Sequence, residues 1–214
     1  MVTMPTLEQA RGWYAAHDPV HGFEHVRRVL RLTERLGEDL GADLEILRAA
    51  ALLHDAADAH PGEGEGRVSH EQASAEFAGQ VLREEGWEEA RIAAVQHCIR
   101  AHRFRGSEAP ESLEAKILFD ADKLDVIGAF GTARTIGYAV QAGQPLYAKP
   151  SRSFLEEGKK EEGEPHSAYH EYLFKLRHIR DRLHTSLARE WARPRHALLE
   201  AFFEQLAAEA EGEV

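Results

Sequence analysis

The sequence predicts an all-α protein, a compact bundle of about eight helices with no sheet. Three observations predict this fold class. Nearly every long segment repeats apolar residues at intervals of three and four, the period of an α-helix. No segment of useful length shows the sustained alternation of a β-strand. Stretches rich in Gly and Pro separate the helical segments from one another.

The first long helix predicted is FEHVRRVLRLTERLGEDLG, whose end is marked by Gly37 and Gly41. Its apolar stripe comprises Val26, Val29, Leu30, Leu32 and Leu36. The next helix is DLEILRAAALLHDAADAH, with Asp43 as its N-cap, and it is expected to continue to His60. The following HPGEGEGR is a turn.

A further helix begins at Ser69, because Gln72 three residues later gives the capping-box spacing. WEEARIAAVQHCIRAH is another helix, and the loop FRGSEAPES follows it. The long segment SLEAKILFDADKLDVIGAFGTARTIGYAVQAG is either one helix or two in tandem. Gly128 and Gly131 are its candidate break points.

The helical pattern fails between residues 143 and 165, a connection longer than usual, which predicts a functional or a disordered loop. Its basic residues are suited to a lid over a nucleotide, although neighbouring glutamates dilute their charge and favour a solvated linker. These basic residues are Lys149, Arg152, Lys159 and Lys160. Two C-terminal helices follow, HSAYHEYLFKLRHIRDRLH and RPRHALLEAFFEQLAAEAE, the latter with Pro194 in its first turn.

The length of 214 residues, 43% of them hydrophobic, fits one domain or one domain plus a small appendage, and we expect a single domain over 1–214. We expect its core at about 18–142 and the helices of 166–210 packed on that core. The 37 acidic and 26 basic residues give a net charge of −11, which argues against nucleic-acid binding. No window reaches the ~18 apolar residues of a membrane span, and no signal peptide is evident.

Cys98 is the only cysteine, which rules out an intramolecular disulfide and agrees with a reducing cytoplasm. We therefore expect a cytoplasmic protein without nucleic-acid or membrane partners. A homodimer is expected on general grounds only, because no segment specifies one.

Polar side chains interrupt the apolar segment that precedes the first turn. His54 and Asp55 flank a common direction on that helix, and Asp58 lies one turn along the same face. An imidazole and a carboxylate that point at one place suit a divalent cation such as Mn²⁺, Fe²⁺, Co²⁺ or Zn²⁺. The neighbouring Ala56 and Ala57 leave room for it.

Two other helices supply similar groups. His21 and His25 are four residues apart and share one face. Further along the chain, three acids interrupt an apolar helix, and burying carboxylates there is costly unless they are paired or bind a metal. These acids are Asp120, Asp122 and Asp125.

A His on one helix, a His-Asp doublet on the next and a distant Asp followed by Lys resemble the H…HD…D pattern of the HD-domain superfamily of metal-dependent phosphohydrolases. The matching positions are His25, His54, Asp55 and Asp122. The flanking DPVHGFEHVRRV, ALLHDAAD, HEQASAE, LEAKILFDADKLDVIGAFGTAR and YHEYLFKL resemble a small single-domain bacterial branch. Some of its members are nucleoside-triphosphate pyrophosphohydrolases. The resemblance spans about residues 18–210.

The resemblance implies one divalent metal ion bound by His25, His54, Asp55 and Asp122. Mn²⁺ is favoured, with Co²⁺, Fe²⁺, Ni²⁺, Mg²⁺ and Zn²⁺ as alternatives. It also implies that Asp58 is the general base or orients the water; the alternative is a partner that fixes the tautomer of a ligand histidine. His21 is expected to bind phosphate or donate a proton, or else it is a polar residue at a helix N-terminus.

The residues expected to contact the substrate are basic or lie beside the motifs. The four cations are Lys123, Arg28, Lys116 and Lys175, each with a surface role as the alternative. His70 lies in the first turn of a helix, where backbone N–H groups favour anions. His97 and His102 either line the cleft or are polar residues satisfied by other groups.

The expected activity is hydrolysis of a small nucleotide, with a nucleoside triphosphate cleaved to the monophosphate and pyrophosphate as first choice. The same ligands would serve a nucleotide phosphomonoesterase or phosphodiesterase, including one that acts on cyclic or guanosine-polyphosphate signals. A third alternative is a non-catalytic module that binds a nucleotide. Retention of all four ligand positions argues against it.

Overall fold

The computed structural model describes residues 2–14, 22–56, 70–103 and 108–213. These residues form α-helices joined by turns and a short 3-10 helix, with no strand among them, which confirms the all-α fold. They fall into two compact units, Met1–Asp122 and Lys123–Val214. Within the described ranges, no helix combines the length and the apolar character needed to cross a membrane.

The first unit is built from helices whose apolar faces pack on one another. α2 and α5 both pack on α3, and α4 lies along α5 and also contacts α3. Its helices are α1 (Leu7–Arg11), α2 (Phe23–Leu40), α3 (Leu44–Leu53), α4 (His70–Glu84), α5 (Glu89–Ala101) and most of α6 (Leu113–Asp125). α3 is therefore the central helix, and every residue from Ala49 to Leu53 is buried.

The two glycines predicted to end α2 have different roles. Gly41 follows the last helical residue with φ +71°, the left-handed conformation that closes many helices. Gly37 is not an end but an interior position of α2. A Cβ there would collide with the side chains of Leu44 and Leu47, so Gly37 allows α2 to approach α3 closely.

α3 begins as predicted and ends earlier than predicted. The Asp43 carboxylate accepts the backbone N–H groups of Glu45 and Ile46 at 3.0 and 3.1 Å. The helix ends at Leu53, so the expected continuation to His60 is wrong for the described residues. His54 and Asp55 lie in the turn that follows. Residues 57–60 and the proposed N-cap Ser69 lie outside the described residues.

The segment that follows α5 forms two helices in tandem, and the break is at Gly128. Gly128 has φ +76°, and a Cβ there would press on Arg195 at 3.0 Å, so both backbone and packing require glycine. Gly131, the other candidate, lies inside the second helix against the backbone of Val126. The Arg195 guanidinium donates to the Leu124 carbonyl at 2.6 Å and fixes the last turn of α6.

The second unit is organised by its longest helix, which packs along α7. Its helices are α7 (Gly128–Gln141), α8 (Arg152–Glu157), α9 (Ala168–Phe174), α10 (Ile179–Arg182) and α11 (Ser186–Glu211). α9 contacts both α7 and α11. Tyr172 and Phe203 stack with ring centroids 4.7 Å apart and join α9 to α11.

Two helix expectations for this unit are wrong, and the segment expected to lack a helical pattern contains a short helix. The segment 143–165 contains α8, which Ser151 caps by accepting the Phe154 N–H at 3.0 Å. The helix expected over 166–184 is broken at Lys175, where φ −126° and ψ −56° precede the 3-10 turn Leu176–His178. Pro194 lies inside α11 rather than in its first turn, because Thr185 caps the helix much earlier.

Candidate metal centre

Three buried side chains from distant parts of the sequence meet in the first unit. His25 projects from α2, His54 from the turn after α3 and Asp122 from α6. One potential ligand atom of each lies within 4.8 Å of the other two. His25 Nε2 lies 3.3 Å from Asp122 Oδ1, and the two imidazole rings are 5.5 Å apart. Two imidazoles and a carboxylate thus converge on one point.

The orientation of His54 is fixed by its own helix. Its Nδ1–H donates to the Ala51 carbonyl at 2.8 Å, so the lone pair of the neutral ring lies on Nε2. This nitrogen is completely buried and has no hydrogen-bond partner among the described residues. Asp55 Oδ2 is 3.3 Å away but does not meet hydrogen-bond geometry. Such a nitrogen is costly unless it binds another group.

Asp55 borders this group and links it to a third histidine. Its Oδ1 lies 3.4 Å from His102 Nε2, while its Oδ2 lies beside His54. The Nδ1–H of His102 donates to the Ile99 carbonyl at 2.5 Å, so its Nε2 also faces the carboxylates. The structure therefore brings His102 to the site, in agreement with the cleft-lining alternative.

The charges around His54 favour a positive group. Burial by itself lowers the pKa of this imidazole, but the carboxylates of Asp55 and Asp122 outweigh it and raise the pKa to about 9. Burial would raise the pKa of Asp55, yet His54 and His102 hold it well below its ordinary value. A site that stabilises an imidazolium is electrostatically suited to a divalent cation as well.

Sequence reasoning missed Tyr14, which adjoins the doublet. Its hydroxyl donates to the Leu52 carbonyl at 2.9 Å. Burial and the charge of Asp55 raise its pKa well above the ordinary value, although hydrogen bonding to the Asp55 backbone partly offsets the shift. Because the contact spans 38 residues, no local pattern could have indicated it.

His97, by contrast, is satisfied away from the group. Its Nδ1–H donates to Glu108 at 2.6 Å, and its Nε2 accepts the Glu111 N–H at 3.2 Å. Arg100 binds the same Glu108 carboxylate at 2.7 Å. The structure thus favours the polar-partner alternative for His97, which holds the end of α5 to the segment before α6.

The cations predicted to bind substrate are spread over both units. Arg28 is half-buried one turn after His25, and Lys116 is half-buried on α6. Lys123 is buried and follows Asp122 directly. Lys175 is in the second unit, where its ammonium pairs with Glu171 at 3.1 Å. His70 is the first residue of α4, which agrees with its predicted place in a first turn, and it is half-buried.

The two residues expected to handle protons, Asp58 and His21, lie outside the described residues, as does His60. The described site nevertheless fits a divalent cation on its own geometry. It offers two imidazole nitrogens and two neighbouring carboxylates, a donor set that suits Mn²⁺, Fe²⁺, Co²⁺ or Zn²⁺. The buried His54 Nε2 supplies a donor atom whose need for a partner an ion would meet.

Comparisons with known proteins place this centre in a family. A model of the HD domain matches residues 22–127, a range that includes His25, His54, Asp55 and Asp122. YpgQ, an uncharacterized protein of Bacillus subtilis (strain 168), is 34% identical over 215 residues, which cover 96% of this chain and 94% of YpgQ. The chain belongs to the HD-domain superfamily. The expected resemblance is thereby confirmed at the level of the superfamily.

Solved structures extend the likeness over nearly the whole HD-domain chain. The crystal structure of Bacillus subtilis YpgQ in complex with ADP has a TM-score of 0.70 at 30% identity and covers 95% of this chain and 94% of that one. An HD-superfamily hydrolase from Bacillus thuringiensis has a TM-score of 0.69 at 28% identity, with coverage of 96% and 94%. The HD-superfamily hydrolase fold thus includes the C-terminal helices beyond the matched domain.

Proposed function

We propose that the protein is a metal-dependent phosphohydrolase that acts on nucleotides, and that its preferred reaction is the hydrolysis of a nucleoside triphosphate to the monophosphate and pyrophosphate. The observation that carries the proposal is the buried convergence of His25, His54 and Asp122 around an imidazole nitrogen without a hydrogen-bond partner in the described residues. Membership of a superfamily whose solved members include a hydrolase supports it.

In this proposal His25, His54, Asp55 and Asp122 hold one divalent ion, with Mn²⁺ favoured among the metals that such a donor set accepts. When bound, the ion supplies Lewis-acid polarisation of a phosphoryl oxygen and a nucleophilic water at neutral pH. Ala51 orients His54 through its carbonyl, and His102 stands beside the Asp55 carboxylate. These contacts are the kind of outer interaction that sets the direction of a ligand.

The proton-handling roles are carried over from the sequence resemblance. Asp58 accepts the proton of the attacking water or orients that water, and His21 binds phosphate or returns a proton to the leaving group. Hydrolysis of the α–β anhydride consumes one water and divides the products as nucleoside monophosphate and pyrophosphate. Asp58 and His21 are proposed for this work because of their place beside the ligands in the sequence.

A nucleotide substrate is supported by a relative. The structure of Bacillus subtilis YpgQ was solved in complex with ADP, and that protein resembles this chain over nearly its full length. We propose that Arg28, Lys116 and Lys123 offset the phosphate charge in a chain that is acidic overall. Lys175, His70, His97 and His102 complete the proposed set, with His97 the weakest because Glu108 and Glu111 already satisfy it.

The deciding experiment is a nucleotide panel assayed with Mn²⁺, Co²⁺, Mg²⁺, Ni²⁺ and Zn²⁺, in which pyrophosphate and phosphate are scored separately. We expect pyrophosphate and a monophosphate, with the highest rate in Mn²⁺. Phosphate without pyrophosphate would contradict the preferred reaction and favour a phosphomonoesterase. Opening of a cyclic nucleotide would favour a phosphodiesterase, and binding without turnover would leave only a nucleotide-binding module.

Two variants separate the residue roles. Asp55→Ala is expected to lose metal and activity together, so full activity in that variant would contradict the metal assignment. Asp58→Ala is expected to bind metal normally and to turn over slowly, because a proton-handling group is not a ligand. Loss of metal from Asp58→Ala would instead make that carboxylate part of the metal shell.

A further inference from the structure

The end of α3 is held by donors that do not belong to the helix. The last carbonyls of an α-helix have no partner within it and need one from elsewhere. Here three successive carbonyls each have a separate donor. His54 Nδ1–H binds the Ala51 carbonyl at 2.8 Å, the Tyr14 hydroxyl binds Leu52 at 2.9 Å, and the Ala56 N–H binds Leu53 at 3.2 Å.

Of these three donors, the Tyr14 hydroxyl is the one supplied by a distant segment. His54 and Ala56 lie in the turn itself, so their bonds are local to it. Tyr14 comes from the segment after α1, 38 residues before Leu52 in the sequence. One phenol therefore joins the last turn of α3, directly before His54, to a segment that is distant in the sequence.

The segment that carries Tyr14 is itself anchored to the first unit. Trp87 Nε1–H donates to the Thr3 carbonyl at 2.8 Å, and the Thr3 N–H donates to the Glu85 carbonyl at 3.1 Å. Trp13 packs edge-on against Phe77 of α4 at 5.7 Å. The hydroxyl is thus presented from a fixed support, as a positioning group requires.

We propose that Tyr14 is a positioning residue of the metal centre, which fixes the turn bearing His54 and Asp55 through its hydrogen bond to the Leu52 carbonyl. The inference rests on the proposed function in so far as it names what the turn is positioned for. The backbone of that turn sets the positions from which the His54 and Asp55 side chains project. Loss of the bond would let both side chains move away from His25 and Asp122.

The test is Tyr14→Phe, which keeps the ring and removes the hydroxyl. Its matched control is Tyr147→Phe in the second unit, which removes a phenol hydroxyl bonded to Glu211 at 2.8 Å. Titration of the metal-free proteins with Mn²⁺ should show affinity about 10-fold weaker in Tyr14→Phe, the lower end of the effect of outer partners of a metal site. Tyr147→Phe should bind Mn²⁺ as the wild type does.

A second measurement needs no metal. Amide hydrogen exchange of the peptide covering Leu52–Ala56 should accelerate in Tyr14→Phe and stay unchanged in Tyr147→Phe. Unchanged exchange together with unchanged Mn²⁺ affinity would overturn the proposal, and so would loss of the folded state in Tyr14→Phe. A wild-type protein that binds no metal would contradict the proposed function, and the exchange result would then decide the role of Tyr14 alone.

Discussion

Two buried groups in this protein place histidine beside carboxylate, and they use the imidazole in opposite ways. In the first unit, His54 has one nitrogen bonded to its helix and the other without a hydrogen-bond partner among the described residues. In the second unit, both nitrogens of His170 are satisfied: Nδ1 lies 2.6 Å from Ser167 Oγ and Nε2 lies 3.0 Å from Glu164. Both rings are fully buried.

In the second group, the side chains of Glu164, Ser167 and His170 all have hydrogen-bond partners. Glu164 accepts the Ser151 and Glu161 N–H groups, each at 2.7 Å, as well as the His170 ring. Ser167 accepts the His170 N–H at 3.2 Å as the N-cap of α9. The Ser167 hydroxyl is fully buried and caps α9, so it is not exposed to a substrate as a nucleophile would be. The group therefore braces the segment 143–165 against α9.

The difference shows how a candidate metal site differs from a brace when residue types and burial are alike. A network whose donors and acceptors are all paired gains nothing from an added ion. A buried nitrogen that lacks a partner, with carboxylates beside it, is a cost that an ion would relieve. Two properties are decisive together: the hydrogen-bond balance of the imidazole and the convergence of other ligand groups on it. Both depend on three-dimensional contacts.

The largest effect should come from removing the unpartnered nitrogen. His54→Ala is expected to weaken Mn²⁺ binding by more than about 100-fold, because a direct ligand should exceed the roughly 10- to 100-fold effect of outer partners. Turnover of any nucleotide that the wild type accepts should fall with it. Calorimetric titration of the metal-free variant with Mn²⁺ measures the affinity.

The matched control for that variant is His196→Ala in the second unit. His196 is also buried, and its Nδ1 also has no hydrogen-bond partner among the described residues. Its Nε2, however, lies 3.2 Å from the carboxylate of Glu200 alone among the described acidic residues. A single carboxylate does not make a metal shell, so this variant should bind Mn²⁺ normally. Equal losses in both variants would mean that removal of any buried imidazole weakens Mn²⁺ binding, and would contradict the assignment of His54 as a direct ligand.

A smaller effect is expected at the brace formed by Glu164, Ser167 and His170, and it should concern stability rather than metal affinity. His170→Ala leaves the Ser167 hydroxyl without its ring partner and opens a buried cavity, which should lower the free energy of unfolding by about 3 kcal/mol. Urea unfolding measures this change. Mn²⁺ affinity should remain that of the wild type, and a loss of affinity would show that the two groups are coupled.

The control for the brace is the exposed His178, whose replacement by Ala should change the free energy of unfolding by less than about 0.5 kcal/mol. A His170→Ala variant as stable as His178→Ala would refute the brace. Unfolding of both variants in the same urea series allows direct comparison.

The helices and the motif positions could be predicted from the sequence because they depend on local periodicity and on spacing. The N-cap at Asp43 and the break at Gly128 are local as well, and both are confirmed. The helix ends were less accessible, because α3 ends at Leu53 although its alanines favour continuation. The start of α11 was also misplaced. Pro194 is typical of a first helical turn, but Thr185 caps the helix earlier in the sequence.

At the candidate site, the sequence indicated the residue types but not their environment. His102 and His97 are equivalent as sequence features, yet one faces Asp55 and the other is bound by Glu108. Tyr14 was missed because its partner, Leu52, is 38 residues away. The charge pattern of segment 143–165 does not indicate that Glu164 is buried beside His170, because that burial depends on packing against α9.

The smallest effect expected is the pH dependence of the brace. Burial would raise the pKa of Glu164, but hydrogen bonds from His170 and from the Ser151 and Glu161 N–H groups outweigh it and lower the pKa to about 2. Because the folded-state pKa lies below the ordinary value of 4.5, this carboxylate stabilises the fold above about pH 4.5 and loses that contribution as the pH falls toward 2.

Glu164→Gln removes the titration while keeping the shape of the side chain. Urea unfolding of wild type and variant should show the wild type more stable at pH 6, with a difference that narrows steadily between pH 4.5 and pH 2.5. Glu156→Gln, at an exposed position of α8, should show no comparable narrowing. A difference that stays constant with pH would mean that the charge of Glu164 does not stabilise the brace, and that its hydrogen-bond geometry alone does.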